Sequence, residues 1–368
     1  MFAICTLSFV TLIMAGCVNF ISGTLLSPAS MPDPALLPSP VATSVAQYRA
    51  YGDSITEGYT LIAPQKPFPA FVAYYESVTY ADNAIGGDQA CDVPTMQIFP
   101  NEDFPTLAAH PTYTLLIGTN DVVVKGIGPY EAVFILCHEA SISWLAVPAE
   151  YKVLANGNGV TTMGPGMLDT SNNWNAWTTQ GLGSSVSFTI TTTQTGPIYA
   201  WPRIDDNNPG TYTYSLDGVV IGAASTQTTP IIATGKGTTN SLGFIRFPLV
   251  PAGTHVVTFM QTSAGANGVS VLGIGTPNGT TIGKLPTVLV GTIPFEQGGS
   301  ICNPPGSPCQ EYIQDIEADV NLFSADGLSV RLFDTRKFMS GSAVEMNDDW
   351  HPNEYGQFLL SLSVEASW

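Results

Sequence analysis

Two styles of hydrophobic patterning alternate along this chain. Residues 46–148 and 286–368 carry short apolar runs separated by stretches of helical period. The runs 47–51, 77–80, 112–117, 286–294 and 328–333 read as strands. The runs at 112–117 and 286–294 are apolar at nearly every position, as strands covered on both faces of a parallel sheet are. Between Pro129 and Pro148 the spacing predicts a helix, with proline at its first position and proline closing it. Over 310–323, Tyr312, Ile313, Ile316, Val320 and Phe323 fall on one helical face. Residues 149–285 differ. They are rich in Thr, Gly and Asn, and their apolar positions alternate with period two, as in 186–190 and 255–259. Asp217-Gly218, between 212–216 and 219–221, is a two-residue hairpin signal. The expected organisation is a discontinuous α/β domain (46–148 and 286–368) interrupted by an all-β, jelly-roll-like sandwich at 149–285. No internal repeat is evident.

The first 23 residues are largely apolar, short for a membrane span, and end in small residues, as a secretory signal does. Met14-Ala15-Gly16-Cys17 resembles a bacterial lipobox, which would make Cys17 a lipid-anchored N-terminus. That anchor is the single membrane attachment expected. The run lacks Lys and Arg, so a signal-anchor helix or a mis-assigned start stands as the alternative. Residues 24–45, with five prolines between Pro28 and Pro40, read as an extended linker. A secreted, periplasmic or cell-surface location follows from this reading.

Composition narrows the field. The 368 residues are 44% hydrophobic, enough for a sizeable core, but only 11% charged, with a net charge of −18. Such a surface repels phosphate backbones, so nucleic acid is not an expected partner. Beyond the leader remain Cys91, Cys137, Cys302 and Cys309. An even count in an exported chain suggests disulfides. Cys302 and Cys309 flank a tight proline-rich loop, which leaves Cys91 to pair with Cys137. With four histidines and no Cys-x-x-Cys pair, no structural metal is expected.

Candidate chemistry lies where the expected parallel strands end. Gly52-Asp53-Ser54 follows the first strand, and Asn83-Ala84-Ile85-Gly86-Gly87-Asp88 the second. Gly118-Thr119-Asn120-Asp121 follows the third, and Asp348-Asp349-Trp350-His351 precedes the last helix. In an open parallel sheet the carboxyl ends of the strands line one crevice. A serine there needs a base, which His351 offers, and the base needs an orienting acid, which Asp348 offers three residues earlier. An oxyanion needs donors. The backbone N–H groups of Ser54 and a glycine, and the Asn120 side-chain amide, are suited to that task.

These blocks, in this order, resemble those of the SGNH (GDSL-type) ester hydrolases. The resemblance covers 46–148 and 286–368. It implies a three-layer α/β/α fold with a flavodoxin-like parallel sheet. It also implies Ser54 as nucleophile, Asp348 and His351 as its partners, and Ser54, Gly87 and Asn120 as the oxyanion hole. No metal or organic cofactor is implied. Ile55 stands where the family's name expects leucine, an apolar exchange. The segment 149–285 is longer than anything usual in the family at that place, and it leaves substrate size and access open.

Each block alone has a plainer reading as a turn or a helix cap. Gly86 is the alternative donor and Asp349 the alternative acid. Asp53 and Asp121 read as turn stabilisers, and His110, His138 and His255 as structural histidines. No Gly-x-Ser-x-Gly elbow, phosphate-cradling loop or distinctive carboxylate pair occurs. In the sandwich segment, Tyr212 and Tyr214 share a strand face and read as core. Trp174 and Trp177 lie in a loop-like stretch and are the candidates for exposure to a sugar. The expected activity is hydrolysis of short acyl, such as acetyl, esters, with an acylated glycan as the substrate class. A lipid-acting or general aryl/alkyl esterase is the alternative enzyme. A catalytically inactive, carbohydrate-binding surface protein is the alternative of another class.

Overall fold

A computed structural model of the protein describes residues 27–126, 128–171, 174–205, 210–227, 239–264, 268–303 and 305–368. The chain divides into two compact units, Met1–Pro32 and Asp33–Trp368. The leader (1–23) and Cys17 lie outside the described residues. Among the described residues of the first unit is a 3-10 turn, Pro28–Ser30. Among the described residues no helix is long and apolar enough to cross a membrane.

The second unit opens with β1 (Tyr48–Gly52), α1 (Ser54–Glu57), α2 (Phe68–Glu76), β2 (Tyr80–Asp82), β3 (Thr112–Leu116), α3 (Thr119–Lys125) and α4 (Pro129–Ala146). It closes with β4 (Thr287–Gly291), α5 (Pro308–Ala325), β5 (Ser329–Phe333) and α6 (Glu354–Glu365). These five strands form one sheet in the order β5-β4-β3-β1-β2, and every neighbouring pair is parallel. Read from the other edge, this is the 2-1-3-4-5 order of flavodoxin-like sheets, whose direction of winding reverses between β1 and β3. Successive β1 side chains point to opposite faces, and each face finds apolar cover. On one face Phe71 of α2 meets Phe358 of α6 at 5.8 Å, and Phe68 meets Phe333 of β5 at 6.5 Å. On the other, Tyr51, Tyr113, Leu115, Val288 and Val290 share a core with Phe134 of α4 and with Tyr312 and Ile316 of α5. The ends of α4 follow from its prolines: Pro129 needs no N–H partner, and Pro148 forces Val147 out of the helical region.

Between α4 and β4 the chain builds antiparallel strands from Lys152 to Gly275, arranged in two sheets. Their facing sides bury Val186, Phe188, Ile190, Val257, Phe259 and Val271. Tyr212 packs in this core and Tyr214 against it. Asp217 and Gly218 form the hairpin turn, both with positive φ (51° and 81°). This sandwich does not hang from a tether. Trp201 meets Trp144 of α4 at 5.1 Å and donates from Nε1 to Ser143 Oγ at 2.9 Å. Lys152 Nζ donates to the Trp144 carbonyl, and Arg246 grips Asp326 just past α5. The sandwich is therefore seated on the α4–α5 face, and its aromatics continue the core beneath the sheet.

Two expectations need correction here. Residues 33–45, part of the stretch read as an extended linker, are docked: Leu37 and Thr43 are buried, and the Val41 N–H donates to the Tyr80 carbonyl along edge strand β2. Trp174, read as exposed, is 4% exposed and stacks on Phe99 at 4.8 Å. Its neighbours Asn172 and Asn173 lie outside the described residues. Trp177 is half-buried against the sandwich core. The loop-like composition around both rings hid an apolar seam between the two parts of the fold at Trp174 and a sandwich strand at Trp177.

Both expected disulfides are present. Cys91–Cys137 joins the loop before the π-helical turn Val93–Ile98 to α4, and Cys302–Cys309 ties a loop to the start of α5.

Candidate functional site

Ser54 is the first residue of α1, directly past the carboxyl end of β1. Asp53 caps the helix, its carboxylate accepting from the Ile55 N–H at 2.9 Å. Gly52 can be nothing larger, since a Cβ there would collide with the Leu116 carbonyl oxygen and Thr56 Oγ1. β1 and β3 thus approach closely where Ser54 leaves the sheet. Gly58, left-handed at φ 76°, ends the helix after one turn.

His351 reaches Ser54 from the other end of the sequence. Its Nε2 lies 2.9 Å from Ser54 Oγ, and its Nδ1 lies 2.8 and 2.9 Å from the Asp348 oxygens. A carboxylate only accepts, so Nδ1 carries the proton and, in the neutral ring, Nε2 accepts from the serine hydroxyl. Asp348 is partly desolvated, which favours its neutral form. Hydrogen bonds from the Trp350 and His351 N–H groups and from the imidazole outweigh this and hold its carboxyl below the usual range. The turn is closed on itself: the Asn347 N–H donates to the His351 carbonyl, and Met346 bridges Pro352. Asn353 then caps α6. The Asp349 carbonyl accepts from the Gln297 N–H at 2.8 Å, so that residue ties the turn to the segment after β4, while Asp348 faces the ring.

The glycine and asparagine blocks meet at the same edge. A Cβ added at Gly86 would lie 3.5 Å from the Ser54 Cβ, which brings this loop against the serine. The Gly86 N–H is engaged by Glu57 Oε2 at 2.8 Å. Gly87 adopts φ 83°, a left-handed conformation that suits glycine. Among the described residues, neither the Gly87 nor the Ser54 N–H donates to a protein acceptor. Asn120, in the first turn of α3 after β3, donates from Nδ2 to the Asp88 carbonyl at 2.9 Å. One amide hydrogen remains for a ligand. Ser54 follows β1 and Asn120 follows β3, so the group sits at the crevice where the winding of the sheet reverses.

Several supporting residues were not singled out in the sequence. Glu57 fixes the Gly86 peptide; its place in Gly-Asp-Ser-Ile-Thr-Glu-Gly was the available signal. Gln97 is fully buried and brackets Gly52, accepting from its N–H and donating to its carbonyl at 2.7 Å, and it also donates to Asp88 at 2.8 Å. Gln357 of α6 donates to the Ile55 carbonyl at 2.9 Å. Nothing in the local pattern marks either glutamine. Beneath the crevice, burial pushes the carboxyls of Asp53 up to about 7 and Asp121 to about 8. Asp53 caps its own turn, whereas Asp121 accepts from the Ala90 N–H and so holds the loop 31 residues earlier in the chain.

The remaining histidines stand apart. His138 is buried and pairs with Asp319 at 2.6 Å; His255 pairs with Asp217 at 2.8 Å; His110 is exposed. Among the described residues no cluster of His, Cys, Asp and Glu could hold a metal ion. No hydrogen bond or ring contact among them links Ser54, Asn120, Asp348 or His351 to the sandwich segment. The segment does pack close by: the Ser241 hydroxyl donates to the Cys91 carbonyl at 2.7 Å, four residues past Gly87.

No protein-family model and no curated protein matches the chain. Among solved structures it is similar to a two-domain esterase active on acetylated mannans, co-crystallised with mannopentaose. The identity is 14% and the TM-score 0.34, over 64% of this chain and 91% of that one. It is also similar to a family 35 carbohydrate-binding module of Cellvibrio japonicus, at 16% identity and a TM-score of 0.28, over 37% of this chain and 98% of the module. The corresponding module of Paenibacillus barcinonensis gives 15% identity and a TM-score of 0.24, over 33% and 94%. At such TM-scores these likenesses carry no conclusion about chemistry, which rests on the geometry of the site.

Proposed function

We propose that the protein is a serine ester hydrolase of the SGNH type, working through an acyl-enzyme. The carrying observation is the relay from Ser54 Oγ to His351 Nε2 at 2.9 Å and from His351 Nδ1 to Asp348 at 2.8 Å. Ser54 Oγ attacks the ester carbonyl carbon while its proton passes to His351 Nε2. The Ser54 and Gly87 N–H groups and the Asn120 amide receive the charge that develops on the carbonyl oxygen. Collapse breaks the C–O bond, and His351 returns the proton to the leaving alcohol. Water, activated by the same ring, then releases the acid and restores the serine. Asp348 stays ionised throughout and holds the tautomer.

The substrate class is a neutral ester of a short acyl group, acetyl above all, on a carbohydrate. A chain of net charge −18 disfavours anionic esters. The exposed Tyr59 and Ile62, in the loop after α1, favour aryl or alkyl esters as a second reading. The test is turnover of p-nitrophenyl acetate by wild type and by Ser54→Ala. Loss of the nucleophile should lower kcat by at least about 10³-fold with an unchanged circular dichroism spectrum. Undiminished turnover in the variant overturns the assignment.

A further inference from the structure

One conspicuous side chain beside this site takes no part in the proton relay. Tyr59 follows the glycine that ends α1, is 61% exposed, and lies with its ring 5.1 Å from the His351 ring at 54°. Its position is built rather than incidental. The Tyr59 N–H donates to the Ser54 carbonyl at 2.9 Å, so its backbone is fixed to the nucleophile's own residue. Next to it, Thr60 is held at φ 80°. A β-branched residue is rare in that region and persists there only when its surroundings impose it. What imposes it comes from the histidine turn: Asn347 Nδ2 donates to Thr60 Oγ1 at 2.9 Å and to the Thr60 carbonyl at 3.4 Å. The loop carrying Tyr59 is thus clamped from both sides, by the serine's own helical turn and by the histidine turn, yet the ring itself is left open to solvent. The clamp spans 287 residues of sequence and holds the ring over the base.

The reaction chemistry says what such a ring would meet. His351 must hand its proton to the departing alkoxide, so the alcohol half of the ester lies against His351 and whatever flanks it. The carbonyl oxygen of the acyl half points toward Gly87 and Asn120. We infer that Tyr59 is a specificity-determining residue for the alcohol half of the ester, a platform on which a neutral, ring-shaped alcohol, either a pyranose or an aryl group, lies flat. An exposed aromatic face gives a flat, C–H-rich partner more contact than it gives a flexible alkyl chain. The carboxylates of Asp348 and Asp349 on the same turn make a neutral alcohol the better fit than an anionic one. This inference rests on the esterase reading for its orientation.

Its test compares alcohols at a fixed acyl group. In Tyr59→Ala, the ratio of kcat/KM for phenyl acetate over ethyl acetate falls about tenfold, about 1.4 kcal/mol, and so does the ratio for a methyl pyranoside monoacetate over ethyl acetate. The p-nitrophenyl acetate to butyrate ratio, which varies the acyl half, moves less than about twofold. Tyr59→Phe keeps both alcohol preferences. A fall confined to one ring class names that class as the source. An equal fall for all three acetates overturns the inference and makes Tyr59 a support for His351. A readout independent of turnover separates this from failure of the esterase reading. Ligand-observed NMR should show saturation transfer from the protein to phenol or to a methyl pyranoside in wild type and in Ser54→Ala, lost in Tyr59→Ala. If Ser54→Ala still turns over esters while the transfer depends on Tyr59, the esterase mechanism falls and the ring platform stands. If transfer persists in Tyr59→Ala, the platform falls.

Discussion

The two parts of the molecule contain the same pair and use it differently. In the α/β layers His351 sits 2.8 Å from Asp348; in the sandwich His255 sits 2.8 Å from Asp217. What separates them is the second ring nitrogen. That of His351 faces a hydroxyl, Ser54 Oγ at 2.9 Å, whereas that of His255 faces the Pro251 carbonyl at 3.0 Å. A hydroxyl can give its proton to a neutral ring; a carbonyl can only accept. His255 is therefore asked to donate from both nitrogens, which favours imidazolium and a closed hairpin. His351 keeps one nitrogen as a base. A His–Asp pair is a structural staple until a third group with a transferable proton completes it.

The strongest way to break this comparison is to neutralise each acid in turn. Asp348→Asn should lower kcat on p-nitrophenyl acetate by about 10²–10⁴-fold, because the amide no longer enforces the tautomer. Asp217→Asn, made in the sandwich, should leave kcat within about twofold, since it touches only the hairpin. Equal losses in the two variants would mean that the sandwich pair matters to chemistry and is more than a staple. A smaller effect sharpens the picture on the oxyanion side. Asn120→Ala should cost about 10²–10³-fold in kcat with little change in KM, the signature of a donor used mainly in the transition state. A rise in KM at constant kcat would instead assign Asn120 to ground-state binding.

The smallest effect is a dependence of stability on pH. Around His255, desolvation favours the neutral ring, but the Asp217 carboxylate and the Pro251 carbonyl outweigh it and raise its pKa above the ordinary value of about 6.5. A raised folded-state value means stabilisation that is fully present below about 6.5 and lost as pH rises through the higher folded value. Asp217, nearly half exposed, limits the effect to at most about 1 kcal/mol. Asp53 and Asp121, raised to about 7 and about 8 by burial, lower overall stability in the same direction as pH rises. The quantity to measure is therefore the wild-type-minus-Asp217→Asn difference in denaturant midpoint at pH 5.5 and 8.5. It should shrink at the higher pH. A difference that grows would show that His255 is neutral in the folded state.

Much of the parallel layer was legible because its pattern is local. Apolar runs became β1, β3 and β5 within a residue at each end, β4 ended three residues short of its run, and Pro129 and Pro148 bracketed α4. The sandwich strands were legible from their alternation, and the hairpin from Asp217-Gly218. The surroundings of the tryptophans were not. Trp174 sits among polar residues in sequence, and its position is apolar because it joins a buried cluster in which it stacks on the distant Phe99. The same holds for Gln97 and Gln357, whose amides bind backbone groups far away in the chain. Such contacts leave no periodicity to read.

By itself the order of residues determined the chemistry on offer: a serine after a strand, an asparagine after another, and a histidine with an aspartate three places before it. It did so because each block is short and its capping and turn geometry is local. Only the tertiary structure decided that these groups meet, that Gly87 rather than Gly86 has its N–H to spare, and that Asp348 rather than Asp349 faces the ring. It also decided that the sandwich is seated on the α4–α5 face, and that Tyr59 is clamped over His351. The physical reason is common to all of these. They depend on which distant backbone and side-chain groups become neighbours once the sheet is wound, and sequence spacing does not record that.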